Sequence, residues 1–75
     1  MTNTALLEKA IANSGYRKSY IAERMKINPY TLAKKIRNET QFKSDEIDDL
    51  CRILNLDVGS RMKIFFAHPV DSKST

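Results

Sequence analysis

At 75 residues, with 41% hydrophobic and 29% charged side chains, the chain is sized for one small globular domain and leaves no room for a catalytic domain beside a substrate domain. Its single cysteine rules out an internal disulfide framework or a cysteine-based metal cluster, and no apolar run approaches the ~20 residues that cross a bilayer. With no charged and apolar leader at the start, a soluble cytoplasmic domain is the default expectation, and a net charge of +4 points towards a polyanionic partner.

Two glycines and two prolines are the only strong punctuation, and runs of β-branched residues are few, so helices joined by short turns are expected. The first helix should start near Thr4, whose hydroxyl can cap free N–H groups, and end near Ser14. Leu7, Ala10 and Ile11 share its inner face, and Gly15 suits the left-handed residue that closes a helix. The second helix should cover about Lys18 to Met25, with Ile21, Ala22 and Met25 turned inward and no good cap at its start. The third has a sharper beginning: Asn28 is a good N-cap, and Pro29 at the first helical position loses no hydrogen bond. Leu32 and Ile36 are its buried positions, and Asn38 is its expected stop.

Residues 39–43 should form a loop with Phe42 tucked inward. Ser44 is the expected cap of a fourth helix, with Asp45 and Glu46 in the first turn, where the helix dipole favours negative charge. Ile47, Leu50, Cys51 and Leu54 make its apolar stripe, and Asn55 its end. After Gly59, residues 61–67 fit either a short fifth helix or a strand, and helix is the reading adopted here. The architecture expected is therefore all-α, four to five helices over residues 1–67, followed by a flexible polar tail over 68–75.

Charge is distributed unevenly. Residues 16–43 carry eight basic side chains against Glu23 and Glu39, whereas residues 44–57 carry five acidic ones against Arg52. A basic middle third beside an acidic segment gives the molecule a positive face, and such a face attracts nucleic acid first. In the same region, Met25 and Leu32 are bridged by Lys26-Ile27-Asn28, with Ile27 placed to plug the angle between the helices. Two short helices joined by so tight a turn form a helix-turn-helix unit, whose second helix enters the DNA major groove.

Ile21-Ala22, Met25, Ile27, Thr31-Leu32 and Ile36 resemble the core pattern of the lambda-repressor/Cro-like helix-turn-helix family, over roughly residues 4–57. The stretch from Ser14-Gly15-Tyr16 to Leu54-Asn55-Leu56, with Ile64-Phe65-Phe66 beyond, resembles small regulators of temperate phages: Cro-like repressors and the antirepressors that pair with a phage repressor. The resemblance implies a compact DNA-binding domain whose groove-facing residues are Asn28, Pro29, Tyr30, Ala33 and Lys34. Lys34 can donate to guanine O6 and N7, and Tyr30 can donate to a base edge or phosphate, or pack on a thymine methyl. Lys18 matches a position that contacts the phosphate backbone, and Arg17, Lys35, Arg37 and Lys43 are candidates for the same work. One residue departs from the pattern. Family members usually have glycine where this chain has Lys26, a position that often needs positive φ; either the turn bends differently here or the strain is tolerated.

Other features have plainer readings. Cys51 lies in the apolar stripe of the fourth helix and is expected to be inert core. His68 stands alone, with no second metal-type residue at ligand spacing. The cluster Asp45, Glu46, Asp48 and Asp49 lacks the alternation and glycine of a calcium loop, and no catalytic triad or phosphate-cradling glycine loop can be read. No cofactor and no enzymatic activity are expected. Ile64, Phe65 and Phe66 are too many large apolar side chains for the end of a tiny domain. They are the candidate partner surface, for a second copy or for a phage repressor. The leading expectation is a sequence-specific Cro-like repressor acting on operator DNA; the alternative is an antirepressor that binds a partner repressor.

Overall fold

Helix α1 spans Thr4–Ser14, α2 Lys18–Met25, α3 Pro29–Ile36, α4 Ser44–Leu54 and α5 Val58–Phe65, with no strand among the described residues. The computed structural model describes residues 1–66. Ala67, His68 and the expected tail over 68–75 therefore lie outside the described residues. Helix α1 packs against α3, α4 and α5, and α2 packs against α3 and α4. Leu7, Ile21, Leu32, Ile36 and Leu50 are the largest fully buried side chains, so four helices meet at one centre. The fifth is helix rather than strand, and it closes that centre with Ile64 and Phe65.

The helix ends explain why the elements stop where they do. Asn28 caps α3 as its side chain accepts the Tyr30 N–H at 2.7 Å, and Pro29 follows at the first helical position. Two caps differ from the expected ones by one residue. Asn3, not Thr4, caps α1 by accepting the Leu6 N–H at 3.1 Å, because the Thr4 hydroxyl is occupied in donating to the Ile36 carbonyl at 2.6 Å. Ser44 is already helical in α4, and the Glu46 carboxylate reaches back to accept the Lys43 N–H at 2.8 Å. Helix α5 begins earlier than residue 61 because Asp57 caps it, accepting the Ser60 N–H at 2.7 Å; that bond holds the Asp57 carboxyl below the ordinary aspartate value.

Three helices close in the same way. A residue at positive φ follows α2 (Lys26), α3 (Asn38) and α4 (Asn55). In each case its own N–H and the next one turn back to the final carbonyls: Lys26 to Glu23 and Ile27 to Ala22 after α2, Asn38 to Lys35 and Glu39 to Lys34 after α3, and Asn55 to Arg52 and Leu56 to Cys51 after α4. Asparagine tolerates this conformation, and lysine does so at a cost. Lys26 is thus held at φ 61°, in the left-handed region that glycine adopts most readily. Lys26→Gly should raise stability by a few tenths to about 1 kcal/mol, as relieved strain outweighs the added freedom of the unfolded chain. Urea unfolding of the two proteins measures this, and a clear loss would mean the side chain contributes more than the backbone strain removes.

The first residues are tied down across the fold. Thr2 and Asn38 exchange two hydrogen bonds, the Thr2 N–H to Asn38 Oδ1 at 3.0 Å and Asn38 Nδ2 to the Thr2 carbonyl at 2.7 Å. The Asn3 N–H donates to the Ile64 carbonyl at 2.6 Å. The N-terminal segment thereby stitches the end of α3 to the end of α5.

Candidate nucleic-acid interface

An α-helix turns about 100° per residue, so Pro29, Tyr30, Ala33, Lys34 and Arg37 fall within one arc of about 140° on α3. Leu32, Lys35 and Ile36 take the other side and are buried, which aims the first arc at solvent. Tyr30 is 66% exposed, and Lys34 Nζ rests 5.5 Å from the centre of its ring. This i,i+4 contact is a cation–π pair that steadies both side chains without covering them. Asn28 stands exposed at the head of the helix, its side-chain oxygen engaged in the cap.

Among the basic residues of the 16–43 segment, Arg17, Lys26, Lys34 and Lys43 have no described carboxylate within 4 Å. Lys18 and Arg37 do have partners. Lys18 Nζ lies 2.9 Å from Glu8, and Arg37 Nε donates to Glu39 Oε2 at 2.7 Å. The Arg37 guanidinium holds the Glu39 carboxyl below the ordinary glutamate value. Both pairs are surface pairs worth little and easily exchanged for a phosphate.

Lys35 does not belong with these residues. It is 7% exposed, its Nζ donates to the Gln41 carbonyl at 3.0 Å, and it pairs with Glu46 Oε1 at 3.1 Å. Its position about 100° beyond Lys34 carries it off the outer arc and into the junction of α3, the 37–43 loop and α4. There it cannot reach a phosphate. The spacing was a signal: Lys35 is three residues after the buried Leu32 and next to the buried Ile36.

The candidate partner surface is likewise reduced. Ile64 and Phe65 are 3% and 4% exposed, and Phe65 meets Phe42 edge to face with centroids 5.6 Å apart. They are core, because α5 must cover the end of the cluster left open by α1 and α3. Phe66 alone of the three is exposed, at 40%. Cys51 is half-buried against the core, and burial pushes its thiol up, in line with an inert side chain.

Two features of the surface were not anticipated. Tyr16 and Tyr20 stack with ring centroids 4.9 Å apart, and Arg24 Nη1 donates to the Tyr20 hydroxyl at 2.9 Å. The i,i+4 spacing of residues 16, 20 and 24 was the available sign. The acidic face of α4 is also largely neutralised within the chain: Asp48 pairs with Arg61 at 2.7 Å, Asp49 with Arg52 at 2.8 Å, and Glu46 with Lys35. Among the described residues no three His, Cys, Asp or Glu side chains gather as a metal ion requires, and no helix is long and apolar enough to cross a membrane. A comparison with protein-family models, curated proteins and solved structures found no match.

Proposed function

We propose that the chain is a sequence-specific DNA-binding regulator of the Cro-like repressor kind, with α2 and α3 as its helix-turn-helix and α3 in the major groove. The observation that carries this reading is the outer arc of α3, where Tyr30, Ala33 and Lys34 are presented with no acidic residue among them, together with Arg17, Lys26 and Lys43, which have no described carboxylate partner. An α-helix fits the major groove, the one groove in which all four base pairs differ. Lys34 and Tyr30 then read base edges, and the flanking cations hold phosphates. A two-fold dimer would set two reading helices about 34 Å apart. The apolar side chains that α5 leaves for such a contact are Val58, Met62 and Phe66.

The antirepressor reading asks the acidic face of α4 to meet basic groups on another protein. Glu46 is held by the buried Lys35, whereas the Asp48 and Asp49 pairs are as exposed and exchangeable as those of Lys18 and Arg37, so it is the outer arc of α3 that favours direct DNA binding. A gel shift on the DNA flanking the chain's own coding region, with and without the partner repressor, separates the two. The expected result is a shift by the chain alone, with log affinity falling against log salt at about −0.9 per phosphate neutralised. A chain that shifts nothing itself and only removes a repressor's shift would be an antirepressor.

A further inference from the structure

A groove of about 250 Å³ runs between α1 and α5 and contains no residue of α2 or α3. Leu6, Ala10, Leu56 and Ile64 give it an apolar lining, and each helix adds one lysine, Lys9 from α1 and Lys63 from α5. Among the described residues no acidic side chain lines it, and neither lysine has a described carboxylate within 4 Å. Asp57 feels the charge of Lys63 without a contact within 4 Å. Two cations without a described carboxylate partner thus stand on opposite sides of an apolar floor.

We infer that this groove docks an acidic amphipathic segment of a partner protein. The segment's apolar side chains fill the space over Leu6 and Ala10, and its carboxylates meet Lys9 and Lys63. A second copy docked groove to groove is the poorer occupant, because that contact would bring like charges against these lysines. Nucleic acid is poorer too, because phosphates gain nothing from the apolar lining. The site is separate from the outer arc of α3, so the partner and DNA can be held at once, and the docking stands or falls independently of the DNA reading.

The test is fluorescence anisotropy of a labelled synthetic peptide with helix-spaced leucines and intervening glutamates, titrated with the full chain. Saturable binding is expected, with amide shifts in NMR centred on Leu6, Lys9, Ala10 and Lys63. Lys9→Glu combined with Lys63→Glu should weaken it by at least about tenfold, since like charges then face each other. The same double variant should gain affinity for a peptide in which lysines replace the glutamates. Both residues are exposed, and circular dichroism verifies that the variant keeps its helices. The inference is overturned if no saturable binding occurs, if Lys34→Glu abolishes binding while the double variant does not, or if the charge-swapped pair fails to bind. It is also overturned if dilution of the chain alone moves the same amides, which would make a second copy the occupant.

Discussion

Lys35→Ala should destabilise the domain by about 3–5 kcal/mol, because it leaves the Glu46 carboxylate in the junction of α3 and α4 without its cation. The Lys35 ammonium donates to Glu46 and to the Gln41 carbonyl, and both charged side chains are largely withdrawn from water. A chain of this length has a total stability of about 4–11 kcal/mol. The substitution should therefore bring it close to unfolding at room temperature. Replacing both partners by apolar residues, Lys35→Met with Glu46→Leu, should recover much of the loss, since no uncompensated charge remains. Denaturant melts of the single and double variants check both statements. A loss below about 1 kcal/mol in Lys35→Ala would show that the pair behaves like an exposed one.

The next largest effect concerns α5. Phe65→Ala should cost about 3–5 kcal/mol, as a buried ring is removed and Phe42 loses its edge-to-face partner. Removing residues 61–75 takes Ile64 and Phe65 together, and with them the carbonyl that anchors the Asn3 N–H. The truncated chain is expected to lose most of its helical circular dichroism. The sequence offered Ile64, Phe65 and Phe66 together as a partner surface, whereas only Phe66 is exposed. Phe66→Ala, at the exposed end of the same segment, should cost far less than Phe65→Ala. Equal losses at the two positions would contradict the burial pattern.

How far the sequence carried this outcome depends on the range of the interactions involved. The limits of α2 and α3 were legible because their signals are local: a Pro29 that can only sit at a helix start, an Asn28 before it, and a three-residue link with an apolar plug. The conformation of Lys26 was left open between a differently bent turn and tolerated strain, and its φ of 61° is the strained alternative. The start of α5 was misplaced because Gly59 was taken for a break, whereas in the first turn after an Asp57 cap it is simply tolerated. The α1 cap was misplaced by one because the Thr4 hydroxyl serves a carbonyl 32 residues away, which no local pattern displays. The burial of Thr2 against Asn38 is hidden in the same manner.

The candidate interface was legible where exposure follows from helical phase. Tyr30, Ala33, Lys34 and Arg37 are offset from Leu32 and Ile36 and had to face outward. Lys35 was misassigned because a lysine was expected in water, although its phase placed it with the core. Ile64, Phe65 and Phe66 could not be divided into core and surface from three adjacent apolar letters. Only the position of α5 against α1 and the N-terminal segment decides which of them turn inward.

The DNA-binding reading rests on α3 as the reader of the groove, and base preference in Lys34→Ala tests that most directly. The measurement is the affinity of the wild-type and variant chains for the bound site and for its single-base substitutions, at one salt concentration. The prediction is a loss of about 1–3 kcal/mol on the intact site, with preference relaxed at a single base pair and kept at the others. Unchanged affinity and an unchanged preference profile would remove α3 from the groove and contradict the account.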